Sequence, residues 1–331
     1  MQKYFVVVLS IVLYLLIFFL RYQQGGWNPN LDLFPQMRQN LDHQIAQFLP
    51  SPQAELLSGI LLGNKKDLPA HLKLALRDSS TIHIVVVSGQ NLTMIAGLFL
   101  NLSGILKRRN AIFLSLGAII FYTLLTGGQV PVIRAAIMAI LSFSAQIFGR
   151  QRDGIWVLIV TGALMLLVNP AWIADLSFQL SFLATLGVIA IAPILNKQLK
   201  FLPEFIRLDL AVTTGAQLMV MPVILQNFHQ LSLVSILTNL LVGWTIPFIM
   251  VLGSIMLFLG TFVQVLGQIT AMATNAFLTY FIYIVQFFAS LPFAWEYVGE
   301  QIWLVWVGYY MVLGGILIAI NKKSDFPTSN F

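Results

Sequence analysis

From residue 82 onward this chain is a succession of apolar runs separated by short polar punctuation. Taken as helices long enough to cross a hydrocarbon layer of about 30 Å, the runs fall at residues 82–106, 111–126, 130–148, 155–168, 176–195, 209–227, 233–258, 262–290 and 302–320. An earlier run, YFVVVLSIVLYLLIFFL at residues 4–20, reaches the lower length limit for a span. Lys3 ahead of it also fits a signal peptide, but RYQQGGWNPN, which follows, offers no small-x-small cleavage site, so an uncleaved anchor is expected. The total is about ten. Between anchor and second run lies the one long hydrophilic segment, broken at WNPN, LFPQ and LPSP, with short helices predicted over 41–48, 54–62 and 69–78.

Composition agrees with this pattern. Hydrophobic residues make up 58% and charged residues 9%, and the mean hydropathy is +0.86; a soluble domain is about one quarter charged. The chain reads as an all-α polytopic integral membrane protein of about ten transmembrane helices. With no cysteine, disulfides, thiolate metal sites and cysteine nucleophiles are excluded.

Charge position sets the expected orientation. Taking alternate loops, one side receives Lys3, then Lys107, Arg108 and Arg109, then Arg150 and Arg152, then Lys197, Lys200 and Arg207, and finally Lys322 and Lys323. The loops GGQ, NPAWIAD, NFHQLS and LPFAWEYVGEQ on the other side hold neither Lys nor Arg. By the positive-inside rule both termini are cytoplasmic and residues 22–81 are external.

Polar residues inside the apolar runs are the candidate functional positions. HIVVVSGQNLTMI carries His83, Ser88, Gly89, Gln90, Asn91 and Thr93. Close helix packing and back-bonding to carbonyls account for Ser88 and Thr93. Gln90 and Asn91, which point different ways around a helix, fit better with a broken or re-entrant helix at Ser88-Gly89 that lines a cavity. GGQVPVIRAAIMA carries Pro131 and Arg134; an intramembrane arginine is a functional hypothesis by default, although Arg134 is about one turn from the interface and could snorkel. In ADLSFQLSFLATLG, Asp175 and Gln179 share a face, and Asp175 reads equally as a helix N-cap or as a partner for Arg134. Asn239 precedes Pro247 in a run expected to be kinked or interrupted, while Gln217 reads as packing. His83, Ser88, Arg134, Asp175, Gln179 and Asn239 all fall in the external half of their runs, which implies a polar vestibule opening outward.

Taken together, HIVVVSGQNLTMIAGL, PVIRAAIMA, NPAWIADLSFQLSFLATLGV and LTNLLVGWTIP resemble, in order, the competence domain of the ComEC family. LLSGILLGNKKDLPAHLKLALRDSSTIH is similar to that family's approach to its His-Ser-Gly motif. The likeness extends over about residues 54–290. It implies import of single-stranded DNA across the bacterial cytoplasmic membrane in natural transformation. The positions carried over as lining or bracing the path are His83, Ser88, Gly89, Gln90, Asn91, Pro131, Arg134, Asp175, Phe178, Gln179, Ser181 and Asn239. The expected organisation is an anchor helix at 1–21, an external segment at 22–81, a channel domain at 82–320 and a short cytoplasmic tail at 321–331.

Full-length members carry more. The external segment here is too short for an OB-type domain, no metallo-β-lactamase-like nuclease domain is expected after the last span, and the four histidines form no HxHxDH cluster. No cofactor and no catalysis are therefore expected. A separate DNA receptor, nuclease and cytoplasmic ATPase become the expected partners alongside single-stranded DNA and membrane lipid; there is no P-loop GxxxxGK[ST] in these residues. The sequence leaves self-association into a homo-oligomer open. Arg134 is the one arginine within the runs, so the DNA reading rests on the resemblance and the outward-opening polar path on the residues. A secondary transporter of a smaller anionic solute, built on the Ser88-Gly89 break and Arg134, is the alternative. An intramembrane hydrolase using Ser88 and His83 ranks far behind both.

Overall fold

The computed structural model describes residues 2–27, 31–64, 68–104, 106–147 and 153–324. Arg150 and Arg152 of the expected basic loop, and residues 325–331 of the expected tail, lie outside these. The helices, in chain order, are α1 (Gln2–Gln23), α2 (Pro35–Phe48), α3 (Gln53–Leu62), α4 (Ala70–Asp78), α5 (Gly89–Asn101), α6 (Arg108–Leu125), α7 (Val130–Ile147), α8 (Gly154–Val168), α9 (Leu176–Ala190), α10 (Ala192–Gln198), α11 (Glu204–Phe228), α12 (Ser235–Gly243), α13 (Thr245–Phe262), α14 (Gln264–Ala289) and α15 (Trp303–Ser324). Among the described residues the one sheet is a pair of short strands, β1 (Gln230–Ser232) and β2 (Trp295–Tyr297). This is an all-α membrane protein with one small β-ribbon.

Among the described residues five helices are long and apolar enough to cross a bilayer: α6, α11, α13, α14 and residues Trp303–Ile320 of α15. A sixth span forms if α9 and α10, bent by 40° at their junction, count as one. The apolar stretches Val12–Gln23, Gln53–Leu62, Val130–Gln146 and Gly154–Val168 are shorter.

Several apolar runs are interrupted, two of them where the sequence leads one to expect it, at Ser88-Gly89 and ahead of Pro247, and one at Pro193, where the run predicts a continuous span; the interruptions have local causes. Pro193 stands in the first turn of α10; lacking an N–H and clashing with the carbonyl four residues back, it cannot continue α9. The run 233–258 divides at Trp244 into α12 and α13, because Pro247 has no N–H for the Gly243 carbonyl. The run 82–106 yields a 3-10 turn at Ile82–Ile84, non-helical residues up to Ser88, and then the 13-residue α5. Three successive β-branched valines, 85–87, followed by Ser88 and Gly89 give the helix little reason to start earlier.

The chain forms two compact units. The first comprises Met1–Phe48, Leu57–Lys65 and Val86–Phe182. Its core joins Leu92 and Ala96 of α5 to Ile112, Ile119 and Tyr122 of α6 and Val132, Ala136 and Phe143 of α7. Gly127 and Gly128, at φ +77° and +61°, make the left-handed turn between α6 and α7. Arg38 of α2 docks there, donating from Nη1 to the Leu125 carbonyl at 3.1 Å and from Nη2 to Asp32 at 2.6 Å; a cation at the α6 C-terminus also suits the helix dipole. The helix predicted at 54–62 within the hydrophilic segment forms, and Leu57, Ser58, Ile60, Leu61 and Leu62 are buried. Ser58 bonds the Asp42 carboxylate of α2, and Asn64 Nδ2 reaches the same carboxylate at 3.3 Å.

The second unit comprises Leu49–Leu56, Lys66–Val85 and Leu183–Phe331. Its core is built on α13 against α14, with Ile249 and Met256 on one helix and Leu278, Phe281 and Val285 on the other fully buried. The short amphipathic α4, with Leu72 and Leu76 inside, packs on α14. β1 and β2 pair antiparallel, Leu231 opposite Glu296, joining two loops that the charge pattern assigns to the same side. Gly187 and Gly215 let the α9 and α11 backbones touch: a Cβ on Gly187 would overlap the Gly215 carbonyl, the small-residue packing common in membranes.

Proline also shapes the seam between α11 and α15. Pro222 lies inside α11 and leaves the Leu218 carbonyl without its helical donor. Tyr309 of α15 supplies one, its OH donating to that carbonyl at 2.9 Å, while Tyr310 OH reaches Met219 O at 2.8 Å and Trp306 Nε1 reaches Gln226 Oε1 at 2.7 Å. In hydrocarbon, where no water can take that role, the pairing matters more than its count suggests.

Candidate functional site

Of the candidate positions of the first unit, Gly89 and Ser181 meet Arg134 directly. It lies in the second turn of α7, whose first turn accommodates Pro131 because the N–H there would have no helical acceptor anyway. Arg134 is only 7% exposed. Its Nη1 donates to the backbone carbonyl of Ser181 on α9 at 2.6 Å, and its guanidinium carbon stands 6.0 Å from the centre of the Phe182 ring. The buried Nε has no hydrogen-bond partner. Among the described residues the ion pairs are Arg38–Asp32 and Arg77–Asp78, so Arg134 carries its charge into the interior without a carboxylate.

The aromatic wall beside it follows from helical spacing. Phe178 and Phe182, four apart on α9, place their rings 4.3 Å from centre to centre. Phe178 is buried, and Phe182 fits because α8 offers Gly162 opposite it, where a Cβ would stand 3.1 Å from the ring.

Opposite Arg134 is the start of α5. A Cβ on Gly89 would stand 3.1 Å from Arg134 Nη2 and 3.3 Å from Ala135 Cβ; glycine is what lets the guanidinium lie against the helix end. The neighbouring polar side chains are turned to structural tasks. Ser88 Oγ donates to Asn91 Oδ1 at 3.3 Å, and Asn91 Nδ2 donates to the Ile60 carbonyl of α3 at 3.0 Å. Thr93 bonds back to the Gly89 carbonyl at 2.8 Å, and Gln90 is exposed.

Asp175 and Gln179 do not form a face directed at Arg134. Asp175 Oδ1 accepts from the Phe178 N–H at 2.8 Å as the N-cap of α9, and Gln179 Nε2 donates to the Ile173 carbonyl at 2.9 Å. Both side chains tie down the turn ahead of α9. The arginine instead takes a carbonyl from the next turn of the same helix, a partner that no side-chain pattern marks.

Two candidates belong to the second unit. His83 lies on the 3-10 turn before α5, exposed, with Nδ1 2.9 Å from the Ser80 carbonyl. Asn239 is buried on α12; its Nδ2 contacts Ser235 Oγ at 3.4 Å, and Ser235 donates to Gln217 Oε1 of α11 at 3.1 Å. Asn239 Oδ1 is buried without a partner. Gln217, expected only to pack, is thus part of a polar relay from α11 to α12. Phe182 and Gly162 were not among the sequence candidates; the i, i+4 spacing of Phe178 and Phe182 was the available signal.

A buried arginine without a carboxylate, among short and bent helices, is the feature of this all-α membrane protein that most needs a functional account. Residues 60–323, most of the chain, match the family model described as Competence protein. The chain belongs to that family. It is 29% identical over 247 residues to the uncharacterized protein YcaI of Escherichia coli (strain K12), covering 67% of this chain and 31% of that one. It is 24% identical over 214 residues to ComE operon protein 3 of Bacillus subtilis (strain 168), covering 64% and 27%. With an uncharacterized protein of Aquifex aeolicus (strain VF5) it shares 31% identity over 168 residues, covering 49% and 40%. The chain thus spans less than half the length of these relatives. No solved structure matches.

Proposed function

We propose that this chain forms the membrane path by which single-stranded DNA is imported across the bacterial cytoplasmic membrane during natural transformation. Family membership and the similarity to ComE operon protein 3 support a role in competence. The observation that carries the path is Arg134, 7% exposed on the apolar helix α7 and bonded to a carbonyl without a carboxylate. A cation held in low dielectric without a carboxylate is costly, and a polyanion passing by would offset that cost transiently while leaving the site free for the next phosphate.

In this reading about ten helices cross the membrane, both termini are cytoplasmic, residues 22–81 are external, and the polar positions line or brace a vestibule open to the outside. Pro131, Asp175, Phe178, Gln179 and Ser181 shape the helices around Arg134, and Ser88, Gly89, Gln90 and Asn91 lie on the approach to it within the first unit; His83 and Asn239, in the second unit, are assigned to the path by the family resemblance alone. Strand degradation, DNA capture and ATP-driven pulling belong to separate nuclease, receptor and ATPase partners.

The bent α9–α10 pair and the α12–α13 break favour a second reading, a secondary transporter of a small anionic solute, since discontinuous helices bind such ligands. Transformation frequency separates the two. In a competent strain deleted for this gene, wild type restores transformants and Arg134→Met, at equal abundance, does not. Unchanged transformation in the deletion strain would discard DNA import and leave ion-gradient-driven anion uptake as the reading to test.

A further inference from the structure

Positive charge converges at one point of the first unit from two independent sources. α5 begins at Gly89, and its first backbone N–H groups carry the positive end of a 13-residue helix. Ser88, which precedes the helix and would ordinarily cap those donors, has its hydroxyl directed to Asn91 Oδ1 at 3.3 Å. The second source is Arg134, 7% exposed. Its Nη2 lies 3.1 Å from where a Gly89 Cβ would be, and its Nε is buried and unpartnered.

A cation resting on a helix N-terminus is electrostatically the wrong way round: cations stabilise C-termini, and here like meets like. Arg38 in the same unit shows the favourable arrangement, at the α6 C-terminus and paired with Asp32. An anion bound alongside Arg134 and the start of α5, accepting from both, would reverse the sign of the interaction, as guanidinium forks and helix N-termini do for phosphate. Exposed Gln90 and half-buried Ser88 and Gly89 leave that point approachable.

We infer that the Gly89–Asn91 backbone and the Arg134 guanidinium form an oxyanion site for one phosphodiester group of the transported strand. This rests on the DNA-import reading above, and it adds a ligand geometry to it: the helix supplies N–H donors, the arginine supplies charge, and glycine at position 89 keeps the two close enough to share one phosphate. The phenyl ring of Phe182 has its centre 6.0 Å from the guanidinium carbon, within cation–π range.

The test uses the purified full chain in detergent, with unfolding followed by intrinsic fluorescence. Sodium phosphate, against sodium chloride at equal ionic strength, should raise the wild-type midpoint by roughly 2–4 °C, and oligothymidylate should bind and compete with phosphate. Arg134→Met should abolish the phosphate-dependent rise whatever its own midpoint, and Arg134→Lys should retain part of it. Should Arg134→Met fail to fold, Gly89→Val, which displaces the guanidinium from the helix end, should lose the rise while keeping the arginine. A purely structural arginine would lower the midpoint of these variants equally with and without phosphate, and that result would overturn the inference. So would a rise that depends on Arg134 with vesicles of phosphatidylglycerol but not with oligothymidylate. Phosphate and oligothymidylate binding that depends on Arg134, in a strain whose transformation ignores the deletion, would uphold the site and reject DNA import.

Discussion

At the scale of single residues, the positions that look alike in sequence divide into those that hold backbone and the one that holds unbalanced charge. Asp175 is an N-cap, so Asp175→Ala should cost about 1 kcal/mol of stability while Asp175→Asn, which still accepts the Phe178 N–H, should cost little. Thermal unfolding of the two variants checks this; equal loss in both would return Asp175 to an ion-pairing role. Arg134 was legible as an exception because arginine has few structural uses inside an apolar run. Ser181 was among the positions carried over by resemblance, but its bond to Arg134 was not legible, because the acceptor is a main-chain carbonyl and every residue has one. Asp175 was legible as an N-cap, one of its two readings, because Asp before an apolar run is a local signal; the bond of Gln179 back to the Ile173 carbonyl was not, because it is visible only once the turn exists.

At the scale of elements, apolar content located the helices and prolines decided where they stop. The breaks before Pro193 and Pro247 were written in the sequence as prolines within hydrophobic runs, yet Pro222 sits inside α11 without ending it, since its freed carbonyl is satisfied by Tyr309 from α15. That compensation is long-range and no local pattern announces it. Tyr309→Phe should lower stability by about 1 kcal/mol, the usual scale of interhelical bonds in membranes, and Leu218→Ala should not, because the backbone acceptor survives; unfolding in mild detergent distinguishes them. Gly187→Leu should do more, since the Gly215 carbonyl occupies the space a side chain needs, and loss of monodisperse protein on size exclusion would register it. The short α3 was placed correctly as a helix but not as a buried one, because its apolar residues sit in a segment whose average is polar.

At the scale of the whole molecule, the proposed orientation and path stand on charge alternation and family. The absence of cysteine from the chain makes topology directly measurable. With single substitutions at the exposed positions Glu300 and Lys200, Glu300→Cys should react with a membrane-impermeant maleimide in intact cells and Lys200→Cys only after permeabilisation; the reverse pattern would invert the path. The central claim is that DNA itself crosses through this chain with Arg134 engaged, and the direct measurement is nuclease-protected, labelled DNA inside competent cells, scored before recombination. Wild type should accumulate it, Arg134→Met should leave the label outside at normal protein abundance, and Arg134→Lys should fall between. Equal internal label in the wild type, the Arg134→Met strain and the deletion strain would contradict the account.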